Sequence, residues 1–189
     1  MKEQFEQVKQ NIEEQMQNRQ PVIDEQNRVV INMTVKNDDD FLSVYSENDT
    51  PVISQSVADF LDNKVQSLKP SQQLTLRIKS NCVDDEEKKV YPLAIKEYYT
   101  EKYLATQNEI KRLNVIALLL AIFGVIVLGF ALYVDSVFHS VIWAEVIDIV
   151  AWVLLWEAVD ISIFRNRENR VTKQRCIALA SANVEFYDL

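Results

Sequence analysis

Glycine is nearly missing from this chain of 189 residues, which contains only Gly124 and Gly129. Loops that hold phosphate groups need glycine wherever the backbone must approach the ligand closely. Because residues 1–112 have no glycine at all, the sequence excludes a P-loop and a dinucleotide-binding loop from this part of the chain. We therefore expect no nucleotide cofactor.

Histidine and cysteine are also scarce, with His139 as the single histidine and Cys82 and Cys176 as the two cysteines. Nucleophilic catalysis of the Ser-His-Asp or Cys-His type needs a histidine beside the nucleophile, and zinc sites need closely spaced cysteines or histidines. Neither pattern is present, so we predict a protein that is not an enzyme and has no cofactor or metal. The enzymatic alternative is metal chemistry on two acidic runs, Asp38 to Asp40 and Asp84 to Glu87, which we expect to form a turn and a helix cap.

Lysine and arginine are absent from Leu113 to Phe164. Within this gap, Asn114 to Val134 is a run of 21 residues without any charge. As a helix it would be roughly 31 Å long, about the thickness of a bilayer's hydrocarbon core. A second apolar stretch follows, from Val141 to Ile161. We predict two transmembrane helices, at about 114–134 and 141–161, that form a membrane hairpin.

The placement of basic residues predicts the orientation of this hairpin. Lys111 and Arg112 precede the first span, whereas the connecting residues 135–140 have no lysine or arginine. Basic residues are enriched in the cytoplasmic segments beside membrane spans, so we expect a multi-pass plasma-membrane protein with both termini in the cytoplasm. Cys82 and Cys176 would then lie on the reducing side, where disulfides are rare. Five basic residues follow the second span: Arg165, Arg167, Arg170, Lys173 and Arg175.

The rest of the chain predicts a small cytoplasmic α+β domain of about three to four strands. Apolar residues alternate in Val29 to Lys36 and in Leu74 to Lys79, which is typical of strands, and Phe41 to Tyr45 and Asn183 to Tyr187 are further strand candidates. The predicted fold class is thus a membrane α-helical hairpin with a cytoplasmic α+β domain. Its parts are 1–112 for the cytoplasmic domain, 113–164 for the hairpin, and 165–189 for a basic juxtamembrane segment and C-terminal tail.

Three stretches outside the second span have the spacing of apolar residues or the caps that are typical of helices. The first is amphipathic, ends near Pro21, and carries Phe5, Val8, Ile12 and Met16. The second starts after Ser54, a suitable N-cap residue. The third starts at Asp84 and Glu87, which have capping-box spacing, and runs toward the first span. Pro92 should kink this helix or mark its first turn.

Small residues recur at alternating intervals of three and four in both predicted spans. Folding the spans antiparallel about the short turn brings the small residues of one beside those of the other, for example Gly124 beside Ala151. Small side chains allow helices to approach closely in lipid, so we predict a tightly packed seam. Its residues are Ala117, Ala121, Gly124, Ala131, Ala144, Ala151 and Ala158.

The second span carries four carboxylates, including Glu157, and no basic residue in the gap can pair with them. Acidic groups at membrane depth usually face a partner, a cavity or an ion path. A side of the helix that combines acids with tryptophans is poorly suited to bare lipid. We therefore predict an acid–tryptophan face that serves in membrane assembly or in an ion path. Its residues are Glu145, Asp148, Trp152, Trp156 and Asp160.

Two segments of the second span, Trp143 to Asp148 and Trp156 to Asp160, are followed by a basic stretch. Together they resemble a family of small two-span bacterial membrane proteins, and Tyr91 to Tyr99 ahead of the first span is similar as well. The family carries no assigned activity. The resemblance implies a bacterial plasma membrane and adds no catalytic residues.

The leading hypothesis is a non-enzymatic integral membrane protein, an anchor or adaptor that assembles with other membrane helices through the acid–tryptophan face. Its partner would be a second copy, in a homo-oligomer, or another membrane protein with a lysine or arginine in a span. The alternative is a subunit of an oligomeric cation or proton pathway lined by the same carboxylates. Both hypotheses place the hairpin in a lipid bilayer. A net charge of −8 disfavours nucleic acid as a partner.

Overall fold

The computed structural model describes residues 4–9, 22–46, 50–138 and 141–188. The chain divides into two compact units. The sheet unit consists of Met1–Lys96 with Ser181–Leu189, and the helical unit is Glu97–Ala180. Residues 4–9 are helical, and the remainder of the amphipathic helix predicted up to Pro21 lies outside the described residues.

The sheet unit is built on three parallel strands in the order β1, β2, β3. They are Val29–Thr34, Leu74–Lys79 and Asn183–Tyr187. Parallel neighbours need long crossover connections, so β1 and β2 are joined through the helix α1, Gln55–Gln66, and the whole helical unit connects β2 to β3. The C-terminal strand predicted from the sequence is confirmed, and it returns to the same sheet.

The core of the sheet unit follows from the alternation of apolar residues along its strands, which places them on one side of the sheet. The register sets Ile31 beside Leu76 and Leu76 beside Val184, and the first two are almost fully buried. Ser54 is the N-cap residue of α1 as predicted, although its Oγ donates to the Asp40 carbonyl at 2.7 Å instead of capping the helix. One side of α1 is buried, at Ala58, Leu61 and Val65.

The strand predicted at Phe41 to Tyr45 is not formed. Leu42 makes one isolated antiparallel bridge with Ile53, and no ladder follows. Phe41 is buried beneath the ring of Tyr91 instead, stacked with ring centroids 3.8 Å apart. Phe41 alone of this segment enters the core, through ring stacking without strand pairing, and Val44 and Tyr45 are almost fully exposed.

The helix α2, Glu87–Phe138, is a single element of 52 residues. It begins in a capping box, in which the Glu87 N–H donates to Asp84 Oδ1 at 2.8 Å and the Asp84 N–H donates to Glu87 Oε2 at 2.9 Å. The predicted capping box is confirmed. Pro92 lies inside the helix, where it removes one backbone hydrogen bond without ending the element.

The helical unit contains the rest of α2 and the three elements that follow it. They are α3, Val141–Asp160, a π-helical segment, Ile161–Arg165, and α4, Asn166–Ala180. Asn114 of α2 contacts Asn166, and Gly124 lies beside Ala151 and Leu155. The later residue on α2 contacts the earlier residues on the returning helices, so these elements run antiparallel to α2.

The predicted fold class, a membrane hairpin of two transmembrane helices, is wrong. In the part of the chain that the structure describes, α2 alone is long and apolar enough to cross a membrane. The helix α3 has 20 residues, and Glu145, Asp148, Glu157 and Asp160 give it too many charges for a span of that length. Each charged residue at a span centre costs several kcal/mol of insertion free energy, which outweighs the apolar residues around it.

Candidate functional site

The contact between α2 and α3 is closest at Gly124. A Cβ atom built on this residue would lie 2.9 Å from Cγ of Leu155 and 3.4 Å from the carbonyl oxygen of Ala151. Gly129, one and a half turns further along, has nothing within 4 Å of the same position. The two glycines of the chain thus have different surroundings, and Gly124 is the one that a neighbouring helix requires to be small.

The residues of the predicted seam are mostly buried in the helical unit. Ala117, Ala131, Ala151 and Ala158 expose at most 6% of their surface, whereas Ala121 is partly exposed. The side chain of Ala144 lies outside the described residues. Small buried residues at these positions allow the close approach of α2 and α3 that the contact at Gly124 shows.

The two tryptophans of the acid–tryptophan face lie away from this contact, whereas Asp148, three positions before Ala151, lies on the side of α3 that faces α2. Trp152 and Trp156 expose 63% and 67% of their surface. Glu145 is exposed, and Asp148 is partly exposed. Within the described residues neither Glu145 nor Asp148 has an ion pair or a side-chain hydrogen bond, so two carboxylates stand unpaired among exposed apolar side chains.

The other two carboxylates of α3 have a partner that the sequence argument missed. Arg165, at the end of the π-helical segment, reaches Glu157 at 3.0 Å and Asp160 at 3.4 Å. Residues eight apart on a regular α-helix do not meet, because neighbours are three or four positions apart. The signal was available, since Arg165 directly follows the gap in basic residues, but only the π-helical turn and a long side chain bring it back to Glu157.

A second polar contact that the sequence did not reveal joins α2 to the start of α4. The Asn166 side-chain amide donates to Asn114 Oδ1 at 2.6 Å. Asn166 is 1% exposed, and its own Oδ1 has no hydrogen-bond partner in the described part of the chain. Amide side chains that bond across helices fix their relative position in an apolar setting, so this pair marks the level where α2 and α4 meet.

The helical unit has an apolar exterior. Leu118 and Leu119 each expose 61% of their surface, and Ile142 exposes 75%. In the most apolar 18-residue stretch of α2, only 17% is buried. A core helix of a soluble protein buries its apolar side chains, and exposed apolar patches of this extent mark membrane or protein contacts. The candidate membrane span in α2 is therefore apolar in sequence and also exposes its apolar side chains.

The acidic runs of the enzymatic alternative line an open cleft in the sheet unit with a volume of about 600 Å³. Asp38, Asp39, Asp84 and Glu87 are among its lining residues. Among the described residues, no group of three or more acidic, histidine or cysteine side chains could hold a metal ion. Asp84 and Glu87 also accept the backbone N–H groups of the capping box, which accounts for their placement.

Tyr91 is a titratable group of the sheet unit whose pKa is raised by its surroundings. Its ring is fully buried beneath Phe41, and its hydroxyl points toward the carbonyl of Asp38 at 3.5 Å. Burial raises the pKa of Tyr91, and the nearby carboxylate of Glu87 adds to the effect. The buried, stacked ring of Tyr91 is part of the core of the sheet unit.

Comparison of the chain with protein-family models, with curated proteins and with solved structures found no match. The resemblance to small bacterial two-span proteins consequently stays a prediction.

Proposed function

We propose that the protein is a non-enzymatic membrane adaptor, held in a bacterial plasma membrane by α2, whose acid–tryptophan face on α3 binds a helix of another membrane protein. The observation that carries the proposal is the unequal pairing of the four carboxylates of α3. Glu157 and Asp160 are paired with Arg165, whereas Glu145 and Asp148 have no partner among the residues that the structure describes.

The exposed tryptophans support a protein partner on this face. Trp152 and Trp156 border the carboxylates and expose most of their surface. Tryptophan is enriched at the centres of protein interfaces, where its large area is buried. A carboxylate in apolar surroundings is costly without a partner, and a basic side chain from another helix would remove that cost.

The chemistry of the gap argues for a partner other than a second copy. No lysine or arginine lies between Leu113 and Phe164, so a second copy that packs the same stretch of its α3 in parallel against this one brings no basic residue to Glu145 or Asp148. We therefore propose a partner with a lysine or arginine inside an apolar helix. The basic residues beside the apolar segment, among them Lys111 and Arg112, favour a cytoplasmic location for the sheet unit.

Affinity purification of the full chain from its own membrane tests the proposal. The variant Glu145→Gln with Asp148→Asn should lose a co-purifying membrane protein, identified by mass spectrometry, that the unaltered chain retains. The matched control is Glu157→Gln with Asp160→Asn, which removes two carboxylates from the same helix that already have an internal partner, and it should retain the protein.

The proposal fails if the first variant retains every membrane protein that the unaltered chain retains, or if both variants lose the same ones. The predicted cation pathway uses the same two unpaired carboxylates and stays an alternative. It would be supported by a homo-oligomer without a second protein and by cation flux in proteoliposomes that disappears in the Glu145 and Asp148 variant.

A further inference from the structure

The contact between Asn114 and Asn166 brings basic residues of two helices to one level of the helical unit. Lys111 and Arg112 lie three and two residues before Asn114 on α2, and Arg167 and Arg170 lie one and four residues after Asn166 on α4. At a rise of 1.5 Å per residue, all four lie within roughly 6 Å of the contact along the helix axes. The antiparallel arrangement thus places two separate basic stretches of the sequence together.

These four side chains are available to a ligand. All of them are exposed. Within the residues that the structure describes, Lys111, Arg167 and Arg170 have no ion pair, and Arg112 contacts only Glu109 of its own helix at 3.6 Å. The arginine of this pair is 73% exposed. Because exposed ion pairs of this kind are weak, Arg112 can also bind another anion.

The level of these residues coincides with the end of the apolar surface. Exposed apolar side chains are isolated on α2 up to Leu104 and become closely spaced from Val115 onward. On the returning chain, Ile163 and Phe164 are the last of the closely spaced ones, each more than half exposed, and Ile177 follows alone. Exposed cations at the level where an apolar surface ends match the phosphate layer of a bilayer, which lies just outside the hydrocarbon.

We infer that Lys111, Arg112, Arg167 and Arg170 form a basic collar that binds the phosphate groups of anionic phospholipids. The inference rests on the proposed membrane role and adds the chemical class of lipid that the protein selects. The charge complementarity is direct, and Glu109 and Glu168 are the acidic residues closest in sequence that oppose it. The Asn114–Asn166 pair holds the two halves of the collar at the same depth.

Lipid retention by the full chain in a non-ionic detergent tests this inference. The protein is titrated with phosphatidylglycerol or with phosphatidylcholine, and bound lipid is counted by native mass spectrometry. A basic residue near an anionic surface contributes about 1 kcal/mol, or about fivefold in affinity. Replacing all four collar residues with glutamine should weaken phosphatidylglycerol binding at least tenfold and leave phosphatidylcholine unchanged.

Two control variants separate the collar from general effects of charge. The first replaces four exposed lysines of the sheet unit, Lys36, Lys64, Lys69 and Lys89, with glutamine, and it should bind phosphatidylglycerol as the unaltered chain does. The second keeps the charge with Lys111→Arg, Arg112→Lys, Arg167→Lys and Arg170→Lys, and it should retain most of the preference. If the fourfold glutamine variant does not fold, Arg167→Gln with Arg170→Gln replaces it.

The inference is overturned if the collar variant prefers phosphatidylglycerol as strongly as the unaltered chain, or if the lysine control loses as much. It is also overturned if inorganic phosphate at equal concentration displaces the lipid, since a free anion would then be the ligand. Failure of the adaptor proposal would appear separately, as unchanged co-purification in the Glu145 and Asp148 variant. A chain found without detergent in the soluble fraction would contradict the membrane role itself.

Discussion

The two units of this protein differ in how far they bury their apolar side chains. In the sheet unit, Leu61, Leu76 and Ile78 are fully buried, as in any protein that folds in water. In the helical unit, Leu118 and Leu119 are largely exposed. One chain therefore contains a unit with a buried apolar core and a unit that exposes many of its apolar side chains.

Charged groups show the same contrast. In the sheet unit, Arg77 on β2 pairs with Glu185 on β3 at 3.1 Å, and this contact lowers the pKa of Glu185. In the helical unit, Glu145 and Asp148 lie among apolar residues without a partner in the described part of the chain. The two units therefore differ in the burial of their apolar side chains and in the pairing of their charged groups.

The largest expected effect on stability is that of a leucine-to-alanine change in the sheet unit, for which the same change in the helical unit is the control. Leu76→Ala removes a fully buried side chain from the central strand and should lower the free energy of unfolding by about 2–5 kcal/mol. Leu119→Ala removes an equally large but exposed side chain and should change it by less than about 0.5 kcal/mol. Chemical denaturation of both variants in detergent checks the comparison, and equal losses would contradict it.

The next effect concerns the contact between α2 and α3. Gly124→Ile would place side-chain atoms where Leu155 and the Ala151 carbonyl now lie, and should destabilise the helical unit by about 1–3 kcal/mol. Gly129→Ile has the same helix propensity but meets open space, so it provides the matched control. Thermal unfolding in detergent measures both, and a Gly129 variant as unstable as the Gly124 variant would show that the contact is not decisive.

Acid should weaken the sheet unit through Asp24. Backbone N–H donation from Arg28 lowers the pKa of Asp24, and the buried Thr75 hydroxyl also donates to its carboxylate, at 2.7 Å. A lowered pKa stabilises the fold above the unfolded value of about 3.9, and this contribution is lost as the pH falls through the folded value. Asp24→Asn should therefore show a smaller drop in melting temperature between pH 6 and pH 3 than the unaltered chain.

Glu185 has a lowered pKa for a related reason, so the Asp24 variant should keep part of its acid sensitivity. If the melting temperature of Asp24→Asn falls as much as that of the unaltered chain over this pH range, Asp24 does not contribute to the acid sensitivity.

The smallest effect is expected for Arg165. Its pairs with Glu157 and Asp160 are partly exposed, and pairs of this kind contribute less than about 1 kcal/mol. Arg165→Gln should therefore unfold almost as the unaltered chain does in detergent. A loss above about 2 kcal/mol would mean that Glu157 and Asp160 are shielded from water and that their pairs with Arg165 are strong, which would contradict this prediction.

Local patterns in the sequence predicted most elements of the sheet unit correctly. The alternation in residues 29–36, 74–79 and 183–187 identified β1, β2 and β3, and Ser54, Asp84 and Glu87 marked the starts of two helices. Strand alternation and helix caps depend on a few neighbouring residues, so one sequence suffices to detect them. Phe41 to Tyr45 failed because ring stacking on Tyr91, 50 positions away in the chain, decided its conformation.

The helical unit was predicted less well. The uncharged run in α2 was recognised correctly as a candidate span, but the second stretch was taken for another span in spite of its four carboxylates. Its apolar residues were given too much weight against the cost of its charges. The pairing of Arg165 could not be seen, because a regular helix does not join residues eight apart.

The sequence by itself determined the local features of this protein: the apolar length of α2, the strand periodicities, the helix caps, and the exclusion of glycine-rich and histidine-dependent chemistry. These depend on residue type and short spacing alone. Only the tertiary structure decided which glycine is enclosed, which carboxylates have a partner, and which basic residues share one level. Those properties depend on contacts between residues far apart in the sequence, such as Asn114 and Asn166, which are 52 positions apart, and such contacts exist only once the chain has packed.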